Sequence, residues 1–136
     1  KLIMPLHKAT GILLLVLVVV RILWRLTHKA PPYPASMSAG ARMLSTGTHH
    51  LLYLLMLIIP LSGWIMSSAS ERPIPFFGLF DVPKFAVAKG DFLAEVSHEG
   101  HEILGFVMIG LLVLHIAAAI RHHFILKDGI MARMLG

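Results

Sequence analysis

Three long apolar stretches limit the fold of this chain more than any other feature of its sequence. They run over about residues 6–26, 48–66 and 95–126, and each is long enough for an α-helix to cross a lipid bilayer, which takes about 20 residues; the third stretch exceeds that length. Stretches of this length and composition predict transmembrane helices. We therefore expect an all-α integral membrane helical bundle with three transmembrane helices, which forms a single membrane domain over residues 1–136.

The composition agrees with a membrane protein and excludes several kinds of chemistry. Hydrophobic residues make up 57% of the chain and charged residues 14%, whereas a soluble domain has about 25% charged residues. The chain has no cysteine, which excludes disulfides, thiolate catalysis and iron–sulfur clusters bound by cysteine within these residues. The net charge is +5, but the basic residues cluster at the ends of the apolar stretches, so we expect membrane lipid and no nucleic acid as a partner.

The distribution of basic residues predicts the orientation in the membrane. The link over residues 27–47 carries Lys29 and Arg42 and no acidic residue, whereas the link over residues 67–94 has three basic and three acidic residues. Because basic residues are enriched in cytoplasmic loops, residues 27–47 and the basic C-terminus are predicted to be cytoplasmic, and residues 67–94 to lie outside. The N-terminus would then also lie outside, so we expect a further helix upstream of residue 1 that completes a four-helix bundle.

Two histidines in the third stretch suggest a pair of haem sites at different depths. His101 and His115 are 14 residues apart, which on an α-helix separates them by about 21 Å along the axis and by about 40° around it. Neutral imidazole is a common ligand of haem iron. His7 lies near the outer end of the first helix, at a depth that matches His101. We therefore predict an outer haem between His7 and His101, and an inner haem with His115 as one ligand.

The second ligand of the inner haem stays open at this stage. His49 and His50 begin the second predicted helix on the inner side, so either could serve, or could instead face a quinone or a haem propionate. His49 would lie at the mouth of its helix whereas His115 lies deeper, and this difference favours a histidine from an upstream helix or a partner subunit. Arg21 lies 14 residues after His7; it either pairs with a propionate of the inner haem or extends to the cytoplasmic interface.

The order of several motifs resembles the prokaryotic cytochrome b561 family. These motifs are "PLHKATG", "RILWRL", "HHLLYLLMLIIPLSGW" and "GHEILGFVMIGLLVLHIAAAIRHHFILKDGIMARML", and they correspond to helices two to four of that four-helix family. The resemblance implies a multi-pass protein of the bacterial inner membrane that binds two haems b and exchanges electrons with ubiquinone. It implies that His7 and His101 bind the outer haem iron, that His115 binds the inner one, and that the remaining ligand lies on the first helix of the family.

The expected function is di-haem electron transfer across the membrane, between a one-electron donor at the outer face and a quinone. One type within the family is a superoxide oxidase, so superoxide is a candidate substrate and the chain a candidate oxidoreductase. Superoxide would be attracted to basic outer groups, and the candidates are Lys1, Lys8, Lys84 and Lys89. Two alternatives remain: a cytochrome b anchor subunit of a larger dehydrogenase or hydrogenase, and a histidine-lined proton-coupled transporter.

Overall fold

The computed structural model describes the backbone of residues 2–135 and the side chains of residues 2–132, and it consists mainly of long helices. The three long helices are α1 (Ile3–Thr27), α2 (Ala39–Ser68) and α3 (Phe92–Ile120); a π-helical segment (Arg121–Leu126) extends α3, and a short α4 (Ile130–Leu135) follows. Helices α1, α2 and α3 with its π-helical extension are each long and apolar enough to span a membrane. The predicted all-α membrane bundle with three spanning helices is therefore confirmed.

Helix α2 begins much earlier than its apolar stretch. The prediction placed its start at about residue 48, but the helix starts at Ala39, where the side-chain oxygen of Ser38 accepts a hydrogen bond of 3.2 Å from the N–H of Ala41. A serine at this position satisfies one of the free N–H groups at a helix start. The link between α1 and α2 is therefore confined to residues 28–38, and the first turns of α2 are polar.

Helix α2 holds the bundle together because it packs against both α1 and α3. The small core includes Ala9 and Val18 of α1 and Leu52 and Leu55 of α2. No residue of the most apolar window of α3 is buried in the bundle, and Leu114 is 68% exposed. So much apolar surface would not stay dissolved in water, and it is the surface that a membrane helix presents to lipid.

The link between α2 and α3 folds over one end of the bundle. It contains the antiparallel strands β1 (Pro75–Phe76) and β2 (Phe80–Asp81), which were not expected from the sequence. The residues that flank the hairpin, Ile74 and Val82, are buried, and β1 contacts α1. The indole N–H of Trp64 in α2 also donates to the carbonyl of Pro83 at 2.8 Å. These contacts fix the link against the ends of α1 and α2.

Candidate functional site

The first candidate site is a cavity of about 150 Å³ at the end of the bundle beneath the hairpin. His7 of α1 and His101 of α3 face each other there, with ring centroids 5.9 Å apart and ring planes at 87°. We call it the His7/His101 cavity. It is lined by Met4, His7, Lys8, Gly11, Ile12, Pro60, Gly63, Trp64, Met66, Ser67, Ile74 and His101.

The spacing of this pair fits two ligands of one metal ion. Imidazole nitrogens that each lie about 2 Å from a metal are about 4 Å apart, which places the ring centroids at about 6 Å. The observed 5.9 Å between His7 and His101 matches that distance. The structure thus brings together the two residues that the sequence predicts as a pair.

The ring of His101 is held by the backbone of α2. Its Nδ1 lies 2.8 Å from the carbonyl oxygen of Ile59 and 3.2 Å from the hydroxyl oxygen of Ser62. Gly63 allows this close approach, since a Cβ atom at that position would lie 2.8 Å from Cε1 of His101. None of these three α2 residues was identified from the sequence, because nothing in their spacing links them to a histidine on another helix.

The second candidate site is a larger cavity, of about 370 Å³, between the middle and the other end of the three long helices. His49 of α2 and His115 of α3 face each other there, with ring centroids 5.5 Å apart and ring planes at 80°. This spacing is also close to the value for two ligands of one metal ion. We call it the His49/His115 cavity. Its lining consists of Leu14, Leu17, Val18, Arg21, Arg25, His49, Leu52, Tyr53, Met56 and His115.

The structure corrects the depth argument made for His49. Because α2 begins at Ala39, His49 lies almost three turns inside its helix rather than at its mouth. It therefore reaches the level of His115, and the two rings touch. His50 is exposed and lines neither cavity, so only one of the two adjacent histidines is brought to the site.

Cationic side chains accompany both cavities. Arg21 and Arg25 of α1 both line the His49/His115 cavity; only Arg21 was singled out from the sequence. The two arginines are four residues apart, a spacing that places them on the same face of α1. This spacing was the sequence signal that could have identified Arg25 as a neighbour of Arg21. At the other site, Lys8 lines the cavity and lies within electrostatic range of Arg72 and Lys84 of the link. Lys89 is not among the charges that act on Lys8, and Lys1 lies outside the described residues.

Three apolar membrane helices that carry two facing histidine pairs at different levels are the features expected of one class of protein, the membrane cytochromes with histidine-bound haem. Comparison with known proteins narrows the class. A sequence model of the family described as prokaryotic cytochrome b561 matches residues 1–136. The chain belongs to the prokaryotic cytochrome b561 family, which confirms the resemblance found in its motifs.

The similar proteins agree with this assignment. Cytochrome b561 homolog 2 of Escherichia coli (strain K12) is 40% identical over 131 residues, which are 96% of this chain and 69% of that protein. The probable superoxide oxidase CybB of Yersinia pestis is 33% identical over 132 residues, 95% of this chain and 72% of that protein. Cytochrome b561 homolog 1 of Escherichia coli (strain K12) is 29% identical over 135 residues, with coverages of 95% and 72%. Family membership makes this chain a membrane protein that binds haem b and transfers electrons.

Proposed function

We propose that the chain transfers electrons across the bacterial inner membrane between a one-electron donor at the outer face and a quinone, with one haem b in each cavity. The observation that carries this proposal is the presence of two facing histidine pairs, each of which has one member on the continuous helix α3. His101 and His115 both belong to α3, and their 14-residue separation corresponds to about 21 Å along the helix axis. Two cofactors at these levels would cover much of the bilayer, whose apolar core is about 30 Å thick.

His7, His101 and His115 are the proposed iron ligands. When bound, haem supplies an iron that changes reversibly between its ferric and ferrous forms. His7 and His101 would both bind the iron in their cavity, and an iron held by two histidines favours electron transfer over the binding of dioxygen. In the other cavity, His49 is in place to act with His115, whereas the family resemblance implies a ligand on a further helix; the replacement of His49 distinguishes the two.

The other residues of the His49/His115 cavity support a haem with its acidic groups. Leu14, Leu17 and Val18 line the cavity with apolar groups that exclude water. Arg21 and Arg25 line the same cavity and can pair with propionate groups. These side chains would orient the cofactor and offset its negative charge.

Superoxide is the proposed donor, and a membrane quinone is the proposed acceptor, which makes the chain an oxidoreductase. The printed name of the Yersinia pestis relative, a probable superoxide oxidase, supports this choice of donor. Lys8, Arg72 and Lys84 bring positive charge to the His7/His101 cavity. A cationic surface at the mouth of a site attracts an anionic substrate and raises its rate of association. The assignment of a quinone rests on the family resemblance.

The test of this proposal is the haem content of purified variants. We expect two haems per chain in the intact protein, and one in His101→Ala or His7→Ala, because each change removes a ligand of the same iron. Haem is measured by the pyridine haemochrome assay against protein concentration. His98→Ala is the matched control, since His98 lies one turn from His101 but is exposed. Retention of both haems in His101→Ala and His7→Ala would refute the ligand assignment.

A further inference from the structure

We propose that Ser62 and Gly63 of α2 are positioning residues for His101, which fix its imidazole ring on the Ile59 carbonyl and thereby set the reduction potential of the iron in the His7/His101 cavity. The inference rests on the proposed ligation of iron by His101. It concerns residues of this chain that do not themselves touch the iron.

The hydrogen bonds around His101 define which ring nitrogen carries the proton. A carbonyl oxygen can only accept, so Nδ1 of His101 donates to Ile59 over 2.8 Å. The hydroxyl of Ser62 donates to the same carbonyl over 2.8 Å, which leaves its lone pairs to accept from Nδ1 at 3.2 Å. Nδ1 is therefore protonated and doubly bound, and Nε2 is the nitrogen left to bind a metal.

Gly63 makes this geometry sterically available. A Cβ atom there would lie 2.8 Å from Cε1 and 3.0 Å from Nδ1 of His101, so the ring would have to move away from α2. Among the glycines in the described part of the chain, only Gly63 has an atom within 4 Å of such a Cβ; at Gly47 of the same helix there is none. Glycine at position 63 thus serves the approach of the histidine ring.

The hydrogen bonds distinguish His101 from the other proposed ligands. Within the described residues, no side-chain hydrogen bond is formed by His7 or His115, whereas His101 has two acceptors for its Nδ1–H. A hydrogen bond from the far nitrogen raises the basicity of a metal-bound imidazole and fixes its orientation. A more basic ligand stabilises the ferric iron. The α2 contacts should therefore lower the reduction potential at this site.

The experiment is a potentiometric titration of the full chain with both haems bound, combined with electron paramagnetic resonance of the ferric form. In Ser62→Ala and Gly63→Ala we expect the ferric-to-ferrous equilibrium at the His7/His101 site to shift about tenfold towards ferrous, a rise of about 59 mV for one electron. The resonance of this site should also change, because its ring orientation changes. The other haem should keep its potential.

Controls separate this role from a general effect on folding. Ser68→Ala removes a serine hydroxyl that is likewise buried in α2 but bonds only to the carbonyl of Trp64, and Gly47→Ala adds a methyl group in open space on the same helix. Both control variants should keep the reduction potential of the intact protein. Ser62→Thr, which keeps a hydroxyl group at this position, should also have that potential, in contrast to Ser62→Ala. Ser62→Ala adds no atoms, so it remains informative if Gly63→Ala does not fold.

The outcomes separate this inference from the proposed function. Unchanged potentials and resonances in Ser62→Ala, with both haems bound, would overturn the positioning role and leave the ligand assignment intact. Retention of both haems in His101→Ala and His7→Ala would instead overturn the ligand assignment, and the positioning role with it.

Discussion

Neighbouring residues decide the role of each histidine in this chain. His101 is bound through Nδ1 to the backbone of α2, and His115 has the ring of His49 as its neighbour. His98, one turn from His101, is exposed, and so is His50, which directly follows His49. Histidines that are adjacent or nearly adjacent in the chain therefore have different surroundings. Only those that face another helix can act in a buried site.

The adjacent pair His49 and His50 offers a sharp test at the residue scale. We expect His49→Ala to alter the haem of the His49/His115 cavity, because its ring contacts that of His115, whereas His50→Ala should leave it unchanged because His50 is exposed. Haem content and the absorption spectrum are the measurements. Loss of one haem in His49→Ala would identify His49 as a residue that holds this haem, and retention with a changed spectrum would place the second ligand elsewhere. Equal effects of the two replacements would contradict the structure.

At the scale of elements, the junction after α3 joins a π-helical segment to the short α4. The segment Arg121–Leu126 ends at Lys127, whose φ of 49° lies in the left-handed region. Asp128 connects the π-helical segment to α4. One of its carboxylate oxygens pairs with Nδ1 of His122 at 2.5 Å, and the other accepts a hydrogen bond from the N–H of Ile130 at 3.2 Å. The carboxylate thus ties α4 to the end of α3.

Because the carboxylate of Asp128 is ionisable, its contacts between α4 and the end of α3 are expected to depend on pH. Partial burial raises the pKa of Asp128, but the hydrogen bonds from His122 and Ile130 outweigh it, so the pKa lies below its ordinary value. A lowered carboxyl pKa contributes stability that is present above the unfolded pKa of about 3.9 and is lost as the pH falls through the folded pKa. We expect the amide signal of Ile130 in nuclear magnetic resonance spectra to titrate with a midpoint below that value.

Asp128→Asn is the control for this titration. It removes the ionisable group, so the amide of Ile130 should show no transition in the same range. A midpoint at or above the ordinary aspartate value would show that the two hydrogen bonds do not hold the carboxylate as described.

At the scale of the whole molecule, the exposed apolar surface and the charge distribution together determine how the bundle sits in a membrane. The long helices turn large apolar side chains outward, as with Val16 and Phe106. The links at the two ends differ in charge, because residues 28–38 carry Lys29 and no acidic residue, whereas the link after α2 is balanced. The apolar surface requires a membrane, and the charge difference predicts its direction.

Single cysteines can test this orientation, since the chain has none of its own. We expect Lys89→Cys to react in intact cells with a maleimide that cannot cross the membrane, and Ser36→Cys to react only after the inner membrane is opened. Both positions are exposed, so the difference depends on their side of the membrane. The reverse pattern would invert the proposed topology.

The positive charge around the His7/His101 cavity predicts steering of an anionic donor. Arg72→Gln and Lys84→Gln should each lower the second-order rate constant for superoxide about two- to tenfold, and should weaken its dependence on ionic strength. The measurement is reduction of the haems after a superoxide pulse at several salt concentrations. Lys89→Gln makes the same charge change in the same link, but only Arg72 and Lys84 are identified as charges near Lys8, so we expect a smaller effect of Lys89→Gln. Equal effects of all three would argue against local steering.

The pairing of His7 with His101 was predictable, whereas the surroundings of His101 were not. Helix periodicity and depth follow from residue spacing, and both histidines lie on long apolar stretches with little ambiguity in register. The contacts of His101 with Ile59 and Ser62 join residues of two helices that are about 40 positions apart in the chain. Such contacts depend on how α2 and α3 rotate against each other, and a single sequence does not specify that rotation.

The sequence by itself determined that this protein has three spanning helices and histidines at two depths, because the length and polarity of a helix decide whether lipid can surround it. The tertiary structure decided that α2 starts at Ala39, that His49 rather than His50 meets His115, and that Gly63 admits the ring of His101. The physical reason is that capping and packing between helices set these features. Polar side chains such as those at the start of α2 tolerate both helix and loop, and only their neighbours select between the two.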